Sequence, residues 1–258
     1  MSTIPYQVLD LFSGIGGFSL GLERTGGFET VAFCEIEEFP RKVLAKHWPK
    51  VPCYDDVRTL TASRLAADGI AVNAICGGFP CQDISIAGHG AGLSGARSGL
   101  YYEVERLICE LEPTLVILEN VAELLGRGMG DVLGSLAGCG YDAEWRRIRG
   151  SQVGVSQDRD RVWILAYPMQ DGRPRFLQSI NFGAHGQGWA GSQADLQSVI
   201  DLALVGSDRF PKPLLRRVDD RPSNWVDRVG SCGNAVIPHI PELIGHAIMA
   251  ANLHRGAA

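Results

Sequence analysis

Over the first two thirds of the chain, short runs of aliphatic and β-branched residues alternate with stretches whose apolar positions recur at helical spacing. Residues 7–12 predict a strand and 16–24 a helix. Residues 30–35 predict a second strand, followed by a helix over 37–47. Two further strand-length runs lie at 71–76 and 114–119, with a helix predicted over 100–111 between them. Residues 141–148 and 161–167 predict a closing pair of strands. This alternation predicts an α/β fold, a doubly wound and mostly parallel sheet covered by helices on both faces.

After Pro168 the pattern changes. Residues 169–231 are rich in Gly, Arg, Gln, Asp and Ser and show little periodicity, apart from apolar runs at 196–205 and 213–215. Residues 237–251 then predict a helix entered through Pro238 and Pro241 near its first turn. The chain accordingly divides into a catalytic and cofactor-binding domain over 1–168, a small lobe over 169–231, and a segment over 232–258 that returns to the first domain.

Composition narrows the class. With 45% hydrophobic and 21% charged residues the chain is ordinary for a globular protein. Its net charge of −5 means that any contact with a polyanion must come from a local basic strip. The seven cysteines are scattered and none forms a C-x-x-C pair, which argues against both a zinc site and a disulfide framework. Free thiols fit a reducing compartment. The N-terminus lacks a basic region followed by an apolar run, and no apolar stretch approaches the ~20 residues of a membrane span. A cytoplasmic protein without a membrane partner is expected.

Four segments carry chemistry. In V-L-D-L-F-S-G-I-G-G-F-S-L-G, a strand runs into a glycine turn and then a helix, which lets the backbone approach a ligand closely. The dinucleotide fingerprint G-x-G-x-x-G fails at Ser19, disfavouring a nicotinamide enzyme. Glu35 ends the second strand, 19 positions after Gly16, where an acid can accept hydrogen bonds from ribose hydroxyls. In C-G-G-F-P-C-Q-D-I-S, Cys81 stands in a glycine- and proline-rich turn, outside any apolar run. That setting suits a nucleophile better than a packed core thiol, the reading preferred for the other six cysteines. A glycine-rich stretch follows and reads as a lid. L-E-N-V places Glu119 and Asn120 at the same sheet edge, where Glu119 can serve a nucleobase or merely cap a helix. In Q-D-R-D-R, Gln157, Arg159 and Arg161 share one side of an extended segment, as a phosphate and carbonyl grip or as an exposed polar face.

Taken in order, F-S-G-I-G-G-F, F-P-C-Q, E-N-V, Q-D-R-D-R and G-N-A-V resemble the motifs of the cytosine-5 DNA methyltransferase family. The match covers roughly residues 7–168 and 230–250, and Pro-Cys-Gln with Glu-Asn-Val at this spacing is specific. The resemblance implies that Phe12, Gly14, Gly16, Glu35, Ile36, Asp56, Val57, Leu100 and Asn234 line a pocket for S-adenosyl-L-methionine. It implies catalytic roles for Cys81, Glu119, Arg159 and Arg161, and nucleic-acid contacts from Gln82, Ser85 and Gln157. It further implies double-stranded DNA as substrate, no metal, a monomer, and a cognate restriction endonuclease in trans. The alternatives are an RNA (tRNA) cytosine-5 methyltransferase and a non-catalytic DNA- or cofactor-binding relic.

One departure concerns recognition. The family's R-x-L…E…Q-x-F segment is not found; R-R-V-D-D-R-P-S-N-W-V-D-R stands in its place, as in a compact phage or prophage branch. About sixty residues separate Pro168 from Gly233, enough for only a small lobe. Arg173, Arg175, Arg216, Arg217 and Arg221 suit phosphate contacts, which carry no sequence information. A short or degenerate target of about two to four base pairs is expected, because each base read requires its own side chain in a groove. Methylome mapping of cells expressing the protein checks this, and a single strictly read site of about six or more base pairs contradicts it.

Overall fold

A computed structural model describes residues 4–80, 99–153, 159–169, 177, 180 and 235–255. The predicted elements Cys81, Gln82, Ser85, Gln157 and Asn234 belong to, the lid, and nearly all of the 169–231 lobe lie outside these residues.

The chain runs β1 (Tyr6–Leu11), α1 (Gly17–Arg24), β2 (Phe28–Cys34), α2 (Glu38–His47), β3 (Cys53–Tyr54), α3 (Ala62–Ala67) and β4 (Ala74–Gly78). It continues through α4 (Gly99–Leu111), β5 (Leu115–Val121), α5 (Met129–Gly138), β6 (Tyr141–Arg149), β7 (Asp160–Pro168) and α6 (His239–Arg255). The strands form one sheet in the order β3-β2-β1-β4-β5-β7-β6. β3, β2, β1, β4 and β5 pair in parallel, whereas β7 is antiparallel to both β5 and β6. The α/β class and the mostly parallel sheet agree with the sequence pattern. The closing strands form a pair in which β7, the later one, lies inside.

Alternation along the strands separates two apolar layers. On one face Leu9, Leu11, Ile75, Val116, Leu118, Val162 and Ile164 pack with Val104, Leu107 and Ile108 of α4 and Val132 and Leu136 of α5. On the other, Val8, Cys76, Leu115, Ile117, Trp163 and Leu165 pack with Phe18 and Leu22 of α1 and Ile240, Leu243, Ile244 and Ile248 of α6. Both faces are covered, which is why the central strands read as continuous apolar runs.

Three elements have no counterpart in the expectations. β3 is two residues long, below any periodic signal. α3 is a six-residue helix opened by Thr61, whose hydroxyl accepts from the Arg64 amide at 3.1 Å. α5 is M-G-D-V-L-G-S-L-A-G, whose glycines read as a loop until Val132 and Leu136 are buried against the sheet. β4 also runs later than expected, taking in Gly77 and Gly78. A Cβ on Gly77 would stand 2.6 Å from the Leu11 carbonyl oxygen, so glycine permits the close approach of β4 to β1. At α1, side chains at Gly17 and Gly21 would run into the Val236 and Pro238 carbonyls, so the C-terminal segment lies directly on that helix.

The expectation of free thiols needs one correction. Cys109 of α4 and Cys139, just after α5, are disulfide-bonded with their Cα atoms 5.6 Å apart. Helix packing brings together two residues 30 apart in sequence, a proximity that spacing alone does not reveal. Cys34, Cys53 and Cys76 are free. Among the described residues, no helix is long and apolar enough to cross a membrane.

Asp10 is the most deeply buried acid of the sheet, with no exposed surface. Its Oδ2 accepts from the Ser19 hydroxyl at 2.7 Å, and Cys76 stands opposite it on β4. Ser19, the residue that breaks the dinucleotide fingerprint, thus ties the first turns of α1 to β1. Burial raises the Asp10 pKa to about 7, against the lowering effect of the Ser19 hydrogen bond. A raised acid pKa means that the folded protein binds a proton the unfolded chain has released. Its stabilising effect is therefore full below pH ~4 and is lost as pH rises towards 7. Replacing Asp10 by Asn should remove that slope. The difference in unfolding free energy between variant and parent should grow by a few kcal/mol from pH ~4 to ~7. Chemical denaturation across this range is the measurement, and a difference that stays flat contradicts the assignment.

Candidate active site

Because β3, β2, β1, β4 and β5 are mutually parallel, their carboxyl ends share one edge of the sheet. The expected site residues on those strands therefore gather there, at the crossover between β1 and β4 where ligands of such sheets bind.

After β1 the backbone turns through three left-handed residues: Phe12 at φ 52°, Gly14 at φ 52° and Gly16 at φ 86°. Phe12 pays about 1 kcal/mol or more for this conformation, a strain typical of residues that shape a site. The Ser13 hydroxyl donates to the Asp10 carbonyl at 2.6 Å, closing the turn from within. A side chain on Gly14 would meet no atom within 4 Å, so this face of the turn is open. One on Gly16 would stand 2.7 Å from the Trp48 ring, which supports the turn from below. Trp48 is a contributor that no sequence signal marks.

Glu35 follows β2 immediately and is 8% exposed. Its Oε2 accepts from the Gly14 amide at 2.7 Å and its Oε1 from the Glu37 amide at 2.8 Å. Burial raises its pKa, and these backbone donors oppose the rise. Glu35 thus joins the ends of β1 and β2, and each oxygen keeps a second acceptor direction. Ile36 beside it is 63% exposed. An apolar side chain so exposed at the sheet's ligand edge is a candidate ligand contact.

Beyond β3, Asp56 and Val57 form a corner. The Asp56 carboxylate takes a two-pronged contact from Arg58, at 2.9 Å from Nε and 2.8 Å from Nη2. Val57 turns its side chain into the core. Leu100, in the first turn of α4, is partly buried against the same cluster. The structure thus joins Gly14 directly to Glu35 and sets Asp56 and Val57 on the neighbouring strand end. Asn234 lies outside the described residues.

The second group sits on β5 and β7. Glu119 is 6% exposed. Its Oε1 lies 2.8 Å from Arg161 Nε and 3.8 Å from Arg159 Nη2. The alternative of a helix cap for Glu119 gives way to this three-charge cluster, and the alternate spacing of the two arginines does place both on one carboxylate. Burial pushes the Glu119 pKa up, while the two guanidinium charges pull it down. Gly78 adjoins it: a Cβ there would stand 3.0 Å from Glu119 Oε2. Asn120 is buried, and its amide donates to the Phe79 carbonyl at 3.0 Å. It therefore anchors the backbone two residues before Cys81, a role the sequence did not assign it.

The chain has relatives among known proteins. Residues 6–182 match the C-5 cytosine-specific DNA methylase family. A Type II methyltransferase of Bacillus subtilis, M2.BsuMI, is 32% identical over 215 residues, covering 71% of this chain and 54% of that protein. M.HgiCII of Herpetosiphon aurantiacus is 34% identical over 176 residues, 66% of this chain and 39% of its own length. The chain therefore spans about half or less of the relatives it matches. A solved structure titled as a DNA modification methyltransferase from an E. coli prophage aligns with a TM-score of 0.53 and 28% identity. It covers 63% of this chain and 47% of its own. With the family matched over most of its length, the chain belongs to the C-5 cytosine-specific DNA methylases.

Proposed function

We propose that this protein transfers a methyl group from S-adenosyl-L-methionine to C5 of cytosine in double-stranded DNA, with Cys81 as nucleophile. The observation that carries the reading is Glu119, a buried carboxylate at the ligand edge of the sheet in charge contact with Arg161 and Arg159. The chain leading to Cys81 leaves the neighbouring strand, tied to Asn120. The names of the Type II methyltransferase relatives favour DNA over RNA, and a restriction endonuclease acting in trans as partner.

The nucleoside end of the cofactor fits the first group of residues. Glu35 offers acceptor directions at the ribose position, the Gly14 side of the turn is open, and Ile36 presents apolar surface. Phe12, Gly16, Asp56, Val57, Leu100 and Asn234 complete this lining. When bound, the cofactor supplies an electrophilic methyl group.

The protein's own groups prepare the base. C5 of cytosine is a weak nucleophile inside a stacked duplex, so the base is first flipped out, at a cost of a few kcal/mol. The Cys81 thiolate adds to C6, and the electron pair of the C5–C6 double bond becomes available at C5. Glu119 accepts from the amino group with one oxygen and gives a proton to N3 with the other as negative charge develops there. Arg161 and Arg159 grip the base carbonyl and the flipped phosphate, and keep Glu119 oriented. Gln82, Ser85 and Gln157 serve as nucleic-acid contacts. Once C5 is substituted it loses its proton to solvent water acting as base, the double bond re-forms, the thiolate leaves and N3 returns its proton to Glu119.

Radiolabelled methyl incorporation into duplex DNA and into tRNA tests the reading. Incorporation into DNA, its loss in Cys81→Ala, and retained cofactor binding by that variant are expected. Glu35→Ala should weaken cofactor binding by about 1–3 kcal/mol in calorimetry, the cost of unpaired polar groups. Incorporation into tRNA alone, or full activity in Cys81→Ala, contradicts the proposal.

A further inference from the structure

On α4, Glu103, Arg106 and Glu110 are spaced i, i+3 and i+7, a pattern that would ordinarily be a solvated stripe of surface ion pairs worth little. Here it faces the loop after β3 instead. Arg106 Nη2 donates to the carbonyls of Val57 at 3.0 Å and Leu60 at 2.8 Å. Its Nε and Nη1 lie 2.7 Å from Glu103 and Glu110, which hold the guanidinium plane in place. The second oxygen of Glu110 accepts from the Ala62 amide at 2.9 Å, at the start of α3. One helix face thus secures three backbone groups of a single loop, across sequence separations of 46 to 49 residues.

That loop has little else to fix its backbone to the sheet. β3 ends at Tyr54, and the local bonds from Thr59 to the Asp56 carbonyl close only a turn within the loop. Val57 and Leu60 bury their side chains, which sets the loop's depth. The Arg106 fork adds bonds to its carbonyls at Val57 and Leu60. The same helix has Leu100 in its first turn, so α4 carries Leu100 at its start and holds the loop about two turns later.

We propose that Arg106 is a positioning residue for the cofactor pocket, fixing the Asp56–Val57 corner against α4 so that the corner meets the base end of the S-adenosyl group. The inference rests on the function proposed above. The sheet order supports the choice of moiety. With the glycine turn on β1 and the ribose acceptor on β2, the next group outward along the nucleoside lies over β3. Arginine is required because its planar fork reaches two carbonyls and two carboxylates at once, which a lysine ammonium, as a point charge, does not reproduce.

The test compares Arg106→Lys, which keeps the charge, with Lys42→Gln, which removes the exposed Lys42–Glu38 ion pair of α2 and has no part in holding Arg106 or the loop. Calorimetric affinity for S-adenosyl-L-methionine, steady-state kinetics on duplex DNA and the thermal midpoint are measured on the full chain. Arg106→Lys is expected to raise the cofactor Kd and KM about tenfold, roughly one to two lost hydrogen bonds' worth of positioning. Its kcat at saturating cofactor should stay within about twofold, and Lys42→Gln should bind cofactor like the parent. If Arg106→Lys lowers only the thermal midpoint and leaves the cofactor Kd unchanged, the clasp is structural and the proposal is overturned. If the two variants lose cofactor affinity equally, the loop contacts are not the cause and it is likewise overturned. A parent protein that binds no S-adenosyl-L-methionine overturns this inference together with the function it rests on, whereas a binding parent with an unaffected lysine variant overturns this inference alone.

Discussion

Keeping a carboxylate charged inside the sheet requires positive charge at contact distance, and Glu119 has it from β7. Removing a partner from a buried ion pair typically costs about 3–5 kcal/mol, since the remaining charge is stranded. This requirement fits the antiparallel placement of β7 beside β5. Val121 faces Arg161 and Glu119 faces Trp163, so Arg161 and Glu119 project from the same face. A one-residue slip would turn Arg161 to the opposite face and leave Glu119 alone. The inverted strand thus delivers two guanidinium groups to the carboxyl edge of a parallel sheet, where a parallel strand would have brought its amino end to the far side.

The three buried acids of this edge are stabilised differently, and the differences suit different tasks. Asp10, fully enclosed and opposite Cys76, has its pKa raised to about 7 by burial and accepts a hydrogen bond from Ser19. Glu35 has backbone amides as donors and stands at the surface of the glycine turn. Glu119 alone has formal positive charges beside it. Only the third arrangement suits a group that must answer charge developing on a bound base. Its neighbours Gly78 and Asn120 clear space beside it and tie down the chain that leads to Cys81.

Much of this was legible in the sequence because the relevant signals are local. The strands at β1, β2 and β5 are apolar runs of strand length, and a parallel sheet automatically aligns their ends. Glu35, Glu119 and the glycine turn were placed by that rule. Arg159 and Arg161 were placed by their alternate spacing. What was not legible depends on tertiary contact. The helix α5 has three glycines and becomes a helix through burial of Val132 and Leu136. The Cys109–Cys139 bond, the support of Gly16 by Trp48, and the reach of Arg106 to Val57 and Leu60 each join residues 30 or more positions apart. Ser19 was read only as a mismatch to a dinucleotide motif, and its bond to Asp10 emerges only once α1 is packed on β1.

The central claim is that a cysteine leaving β4 and a carboxylate on β5 act together on a cytosine. Incubation of the full chain with S-adenosyl-L-methionine and duplex DNA containing 5-fluorocytosine tests it most directly, because fluorine at C5 blocks the final loss of the proton and traps the adduct. The account predicts a denaturant-resistant protein–DNA complex whose cross-linked peptide contains Cys81, absent in Cys81→Ala. A protein that binds both S-adenosyl-L-methionine and the DNA yet forms no such complex, or forms it through another residue, would contradict the account.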